Sequence, residues 1–571
     1  MRSNTAGSRL AIVAVAACVV SAGLSVPRDI LAQTATTAPT LPTRIGVFGE
    51  RELSLADALA AVLENNVDIA VSRTGTEQAT YAIAGARGAF DARLSFQSSF
   101  VRQVVPVSSI IGGGASGRLT QQDLLVGPRL EGFLPSLGTN YQLSFTSRRQ
   151  VTDNTFTTLN PQFPTALVLS ITQPLLRGRR IDGARRQIEI ARKNEELSEA
   201  QFQQRVMDVT LQAEQAYWDL VFAQQNLQIQ RDGLALASQQ VDSNIRLVVQ
   251  GVGAPIDVVE ARTQLALARQ NAYAAQALLT RAENALKVLM AGDRSSPFWP
   301  VALLPSTPRR EAGADPSLED AVGRALARRP ELSQTAIVNA TNEANTRFFR
   351  DQTRPQVDLV GSYTSSGLAG RTIDLGPNPL TAGFQPLVDR LNSLSGLQGL
   401  PSLPTLGGSS SSVPSLLVGG VSQSLSNLVR QDFPTVEVGL RLSLPFRNRT
   451  AQANLASSLI EGRRIQLQRR QIEKAIEVDV RNALQAVSSA RASLEAAAEG
   501  SRLAGEQYAS EQRKFEAGTS TVFLVLQRQN ALIATRSQQA RAEADLNKSL
   551  AVLSRATGEI LRAHRIRATS R

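Results

Sequence analysis

Two long stretches of helix-forming sequence constrain this chain more than any other feature. One covers residues 186–250, and the other runs from the end of "SLPFRNR" (443–449) to about residue 517. Within the first, Val206, Val209, Ala213, Ala216, Leu220, Ala223 and Leu227 step by threes and fours without a fault. A seven-residue apolar period makes paired helices supercoil left-handedly, and an Ala-rich seam lets their axes approach closely. At 1.5 Å per residue the first stretch spans about 95 to 100 Å as one helix, beyond the length of ordinary globular helices. The spacing returns in Ala261, Leu265, Ala268, Ala272, Ala275, Leu279, Ala282, Leu286 and Leu289, and again in Ile476, Val480, Ala483, Val487, Ala490, Leu494 and Ala497.

Each long run stops at glycine. "QGVGAPIDVVEA" (250–261) carries Gly251, Gly253 and Pro255, and "EAGTSTVFLVLQR" (516–528) carries Gly518. Glycine permits the left-handed backbone that ends a helix. Pro255 suits the first turn of a returning helix, where its missing N–H costs nothing. The pattern predicts two helical hairpins whose returning arms, about 255–291 and 521–556, are half the length of the outgoing ones. Helical segments at 53–88 and 316–350 are also half-length, so two halves stacked end to end would complete each column.

The two hairpins belong to an internal duplication. Ser54, Leu55, Asp57, Ala58 and Leu63 match Ser317, Leu318, Asp320, Ala321 and Leu326 at one constant offset. Ser54 and Ser317 are expected helix N-caps, with Asp57 and Asp320 three residues on, where a carboxylate favours the helix start.

Segments of period-two alternation follow each opening helix. In "DARLSFQSSF" (91–100), Ala92, Leu94, Phe96 and Phe100 share one face and Asp91, Arg93, Ser95 and Gln97 the other. In "TVEVGLRLSLP" (435–445), Val436, Val438, Leu440, Leu442 and Leu444 oppose Glu437, Arg441 and Ser443. Residues 140–148, 167–174 and 356–363 behave alike. This is the pattern of strands with one apolar and one polar face, and about 8 to 12 residues suits a transmembrane β-barrel or the edge of a soluble β-sandwich, a choice that the long helices following them decide for the barrel. A further pair in the first half, about 124–133 and 139–149, fits either an extended hairpin or two more strands. Turn-rich stretches at 107–123 and 376–428 read as long loops at one end of the strands, expected outside the cell.

Composition narrows the chemistry. One cysteine, Cys18, and one histidine, His564, leave little for metal or nucleophile sites, since a zinc centre wants several such ligands. His564 is expected to be an exposed tail residue. The net charge of +12 is spread as scattered Arg, with no basic cluster interleaved with aromatics, so no nucleic-acid partner is expected. No enzymatic constellation is visible.

The N-terminus has a charged start, an apolar run from Leu10 to Leu24 and a small-residue exit, the pattern of an export signal over 1–35. Beyond it, no stretch reaches the roughly 20 apolar residues of a membrane-spanning helix. "VAAC" (15–18) resembles a lipobox, which leaves two fates for Cys18: lipidation, or removal with a signal cleaved near Ala32 or Ala35.

Taken together, the tip motifs "GVGAPIDVVEAR" and "GTSTVFLVLQRQ", the strand ends "QPL" (173–175) and "LP" (444–445), and their twofold recurrence resemble the TolC family of outer-membrane factors. The resemblance implies an α+β membrane protein. In it, a homotrimer shares a twelve-stranded transmembrane barrel in outer-membrane lipid, about four strands per protomer, continued by a coiled-coil helical tunnel in the periplasm. It implies a passive duct with no cofactor, reached through a periplasmic adaptor by an inner-membrane RND or ABC pump. The layout would be a signal (1–35), a linker (36–52), a first repeat (53–292), a linker (293–315), a second repeat (316–558) and a tail (559–571). Relatives often ring the tunnel constriction with acids six and nine places after the second-repeat glycine. Here those positions hold Leu524 and Gln527, and the first-repeat equivalents are Asp257 and Glu260. An acid ring would therefore come from the first hairpin, unless Asp257 and Glu260 only balance the helix dipole. Arg262 and Arg528 lie near enough to the turns for gating ion pairs or adaptor contacts. A periplasmic adaptor is the alternative reading, although adaptors carry one helical hairpin and a lipoyl-like domain.

Overall fold

The computed structural model describes residues 41–108, 114, 117–307, 316–373, 382–403 and 413–570. The expected signal segment, with Cys18, Ala32 and Ala35, lies outside the described residues.

The first half runs β1 (Gly49–Leu53), α1 (Leu55–Asn65), α2 (Val67–Arg87), β2 (Arg93–Pro106), β3 (Arg118–Leu134), β4 (Thr139–Thr152), β5 (Leu159–Gln162), β6 (Thr165–Pro174), α3 (Gly183–Val249) and α4 (Pro255–Met290). After β7 (Val301–Pro305), the second half runs α5 (Leu318–Arg328), α6 (Pro330–Gln352), β8 (Gln356–Gly367), β9 (Gly370–Thr372), α7 (Gln385–Leu397), α8 (Val421–Arg430), β10 (Phe433–Ser443), α9 (Arg449–Glu516) and α10 (Val522–Ala556), and α11 (Ile560–Ala563) follows. The duplication is visible in this order, with two helices, strands, a long helix and a half-length helix in each half.

α3 has 67 residues and α9 has 68, about 100 Å each at 1.5 Å per residue. Their apolar seams are buried as the heptad spacing predicts. Val206, Val209, Ala213, Leu220, Ala223 and Leu227 are buried against α4 residues Ala275, Leu279 and Leu286. Lower on the same hairpin, Leu234, Ala237 and Val241 pack with Ala261, Leu265, Ala268 and Ala272. In the second half Ile476, Val480, Ala483, Val487 and Leu494 pack with Leu546 and Leu553.

The half-length openings differ from expectation in one respect. Each is two helices, not one. Ser54 and Ser317 cap α1 and α5, accepting from the N–H groups of Asp57 at 3.1 Å and Asp320 at 3.2 Å. The chain then breaks at Asn66, whose backbone is extended, and at Arg329–Pro330, where a proline in a helix interior would lose a hydrogen bond and clash with the preceding turn. Asn66 starts α2 by accepting from Asp68 and Ile69 N–H, and its amide donates to the carbonyl of Leu289 at the end of α4. α4 and α2 thus meet end to end, as the column reading requires. The segments expected as linkers contribute one strand each, since β1 and β7 pair in parallel from Gly49↔Val301 to Leu53↔Pro305. The tail is also ordered against the body. Ile560 is buried, and His564 Nε2 lies 3.0 Å from Oε2 of the buried Glu214 on α3. His564 is therefore not the exposed tail residue expected, because the chain folds back onto α3.

The sheet differs more. Its long strands run in the order β10-β8-β6-β4-β3-β2, all antiparallel, with β5 and β9 as short side pairings. Among the described residues the protomer therefore supplies six long strands, and the expected count of about four is corrected. The ambiguous pair at 124–133 and 139–149 is β3 and β4, inserted between β2 and β6. The path is open, with β2 and β10 at its ends. Register sorts the side chains into two faces. Leu94 and Leu130, Leu143 and Leu169, and Leu359 and Leu440 stand opposite one another on the apolar face. Arg93 and Glu131, Gln142 and Ser170, and Asp358 and Arg441 do so on the polar one. The stretch 376–428, expected to be loop, carries α7 and α8. Ser424 of α8 reaches Thr165 Oγ1 at 2.8 Å, and the Ser365 hydroxyl donates to the carbonyl of Leu428.

Candidate gate at the helical hairpin tips

α3 ends at Val249 with Gln250 as its cap, and Gly251 takes a φ of 77°. The reversal is a tight one, because Val252 N and Gly253 N both donate to the carbonyl of Leu247, at 3.0 and 3.1 Å. Gly251 supplies the left-handed residue that this ending needs. Gly253 does not share that conformation. It sits where a Cβ would come within 3.2 Å of the Leu247 side chain. Pro255 opens α4, as expected. Asp257, three residues after the N-cap Ala254, accepts from the Ala254 N–H at 3.2 Å. Its carboxylate is thus tied to the start of α4, where the helix dipole favours a negative charge. Asn244, buried on α3, donates to the Asp257 carbonyl at 3.1 Å and accepts from Gln240.

The second tip is built alike on different residues. Gly518 has a φ of 75°, and Thr519 N donates to the Lys514 carbonyl at 2.9 Å. Thr521 caps α10, accepting from Leu524 N–H at 3.4 Å. The Ser520 hydroxyl bonds the Glu511 carboxylate. That hydrogen bond, with Lys514 and Arg528 adding to it and desolvation opposing, holds the Glu511 carboxyl below the usual carboxylate range.

The fold brings the two tips side by side. A cleft of about 630 Å³ lies between them, lined by Asn244, Gly253 and Asp257 from one hairpin and Gln512, Phe515 and Gly518 from the other. Gln264 of α4 donates to Asn530 of α10 at 2.5 Å. Of the gate candidates singled out from sequence, Asp257 lines this cleft, beside the turn residues Gly253 and Gly518. Glu260 and Leu524 are half-buried, and Gln527 and Arg262 are exposed. Arg528 donates to Gln507 at 3.3 Å within its own hairpin. Sequence reasoning missed Asn244, Glu511 and Ser520, whose roles come from partners several turns away. It also missed an apolar surface. Val249, Val252, Ile256, Val259 and Phe523 are all more than half exposed at the tips. The signal was there, as large apolar residues in a turn too small to bury them.

The chain matches the sequence pattern described as "Outer membrane efflux protein" over residues 58–292 and 321–559, most of its length and both halves. It belongs to the outer membrane efflux protein family. It is an outer-membrane efflux channel of the Gram-negative cell envelope, and the adaptor reading falls away. Its fold is similar to solved channels of this kind. The outer-membrane channel OprN shares 17% identity at a TM-score of 0.57, covering 88% of this chain and 90% of its own. The CmeC channel of Campylobacter jejuni shares 14% at 0.58, with 89% and 86% covered. The MtrE channel of Neisseria gonorrhoeae, solved in an open state, shares 16% at 0.55, with 89% of each chain covered. None of the curated proteins compared with the chain matches it. Among the described residues no helix is long and apolar enough to cross a membrane.

Proposed function

We propose that three copies of this chain close into one passive duct. Its strands cross the outer membrane, its helical columns cross the periplasm, and its tips form the gate that meets a periplasmic adaptor and an inner-membrane pump. The observation that carries this reading is the open sheet. Among the described residues, β2 and β10 end the ladder with no further strand beside them. Lipid offers no partner for such backbone groups, so the edges must find each other on further copies, and rotational symmetry closes the ring. The number three follows the resemblance to trimeric ducts.

Docking of the tips is supported by Val249, Val252, Ile256, Val259 and Phe523, apolar side chains held in water at the far end of the helices. Exposed apolar groups gathered at one place mark interaction surfaces. The gate reading assigns Asp257 and Glu260 to a threefold ring of acids that favours cations, with Asp257 also serving as a cap. Leu524 and Gln527 stand at the matching places of the other hairpin, and Arg262 and Arg528 flank the turns.

The mass of the detergent-solubilised protein tests the assembly. Three copies per particle are expected, and a monodisperse monomer or dimer would sink the reading. Val252→Asp combined with Ile256→Asp should abolish export while outer-membrane levels stay unchanged. Normal export in that variant would remove the tips from the docking surface.

A further inference from the structure

We infer that the wall of this channel closes with eighteen strands, half as many again as the twelve that the resemblance implies. The inference rests on the trimeric reading and turns on the β3–β4 hairpin. Three observations place that hairpin in the wall. It stands between β2 and β6 in the ladder, and β2 pairs with β3 without a break from Arg93↔Glu131 to Pro106↔Arg118. β4 then pairs with β6 from Asn140↔Thr172 to Ser147↔Thr165. Remove the hairpin and β2 has no neighbour.

The second observation is the side-chain pattern. Leu124, Val126 and Leu130 of β3, and Tyr141, Leu143 and Phe145 of β4, continue the apolar face of the flanking strands by register. Asp123, Arg129 and Glu131, with Gln142, Ser144 and Arg148, continue the polar face. A flap lying in water outside the membrane would have no reason to keep a period-two apolar stripe in register with the wall.

The third is how the hairpin turns. Its 135–138 turn lies at the helix end of the sheet, at the junction of β6 and α3. Gln173 donates to the Leu137 carbonyl at 3.2 Å, and Thr139 bonds the Gln173 side chain. An added Cβ on Gly138, whose φ is 69°, would meet the Arg185 guanidinium at 2.7 Å and the Gly178 carbonyl at 2.9 Å. The turn is therefore seated on the body of the protein at the rim where the strands meet the helices.

The consequence is geometric. Four strands per copy, β2, β6, β8 and β10, are followed or preceded by helices. The hairpin adds two more strands with no helix joined to them, so the wall is wider than the helical tube calls for. At about 4.8 Å between strands and about 40° of tilt, eighteen strands give a backbone diameter of about 36 Å, against about 24 Å for twelve. The duct flares at its outer mouth.

Single-particle electron microscopy of the full chain in lipid nanodiscs, viewed along the symmetry axis, tests this. A threefold particle with eighteen wall strands is expected. A threefold particle with twelve, and residues 118–152 outside the ring, overturns the inference and leaves the trimer standing. A particle with another copy number overturns the trimer and the count of eighteen together. Spin labels placed one at a time at residues 141–146 give an independent reading in vesicles, with the parent chain, whose one thiol is Cys18, as the blank. Oxygen contact should peak at 141, 143 and 145, and contact with a water-soluble nickel reagent at 142, 144 and 146. Uniform contact with the aqueous reagent at all six would overturn the inference.

Discussion

The side-chain amide of Asn66 donates to the carbonyl of Leu289 at 3.1 Å, across 223 residues of sequence. The same side chain caps α2, so one residue starts a helix and fastens it to the end of another. Asn66→Ala should therefore lose a cap and a buried hydrogen bond together, at about 1 to 2 kcal/mol for the cap alone. Asn66→Asp keeps the cap and loses the amide donor, and should fall between the two. Thermal unfolding of the purified protein reads the order, and an Asn66→Asp variant as stable as the parent would contradict the joint.

A buried ion cluster fixes α4 to the chain on either side of it. Glu283 receives Lys287 at 2.6 Å and also the Arg44 guanidinium, and Lys287 donates to the Trp299 carbonyl at 3.1 Å. Glu283 and Lys287 are buried. Glu283→Ala leaves two cations facing an empty place and should cost about 3 to 5 kcal/mol. Glu283→Leu with Lys287→Met removes the two buried charges, leaves only the partly exposed Arg44, and should recover a large part of that loss in denaturant unfolding.

The second tip carries a pH dependence. Glu511 is held below the usual carboxylate range, first by the Ser520 hydroxyl. A carboxyl whose pKa is lower folded than unfolded contributes stability that is present above its unfolded pKa and lost as pH falls through the folded one. Protection of residues 511–521 against hydrogen exchange, taken relative to the unfolded-chain rate at each pH, should thus hold from neutral pH down to about pH 5 and fall as pH drops below the ordinary carboxylate value of about 4.3. Ser520→Ala removes the leading cause, so its exchange at neutral pH should already be faster than in the parent, with a smaller further rise in acid.

Gly251 and Gly518 both hold a left-handed backbone with open space around the Cα. Alanine at either meets no neighbour and still pays for the conformation, about 1 to 2 kcal/mol. The effect should stay local, with faster exchange at the altered tip and an unchanged global melting temperature. A variant at Gly253, which is not left-handed, should act through contact with Leu247 instead.

Selectivity and membrane folding give two separable tests. Asp257→Asn with Glu260→Gln should reduce cation preference in planar-bilayer conductance, and unchanged selectivity would reject the acid ring and leave the duct intact. On the wall, Leu440→Arg puts a charge on the apolar face and should lower folding into vesicles by about 2 to 4 kcal/mol. Arg441→Leu, one residue on and on the opposite face, should alter conductance more than folding.

Much of this molecule is legible along the chain, because its helices are local objects. Val206 to Leu227 and Ile476 to Ala497 announce their buried faces by spacing alone, and Gly251 and Gly518 announce the reversals, since a helix cannot turn back without a residue that tolerates the left-handed backbone. Alternation likewise gave each strand its two faces, because successive side chains point to opposite sides whatever the neighbours are. What alternation cannot carry is who the neighbours are. β6 pairs with β8 across some of the longest separations in the sheet, Thr165 meeting Gly367, and no local pattern records such a pairing. So the joining of the two halves' strands into one sheet was decided only in three dimensions. The same holds for Asn66 on Leu289, His564 on Glu214 and the two tips around one cleft. Each is a contact between distant segments, whose free energy comes from burial and geometry that exist only once the chain has closed on itself.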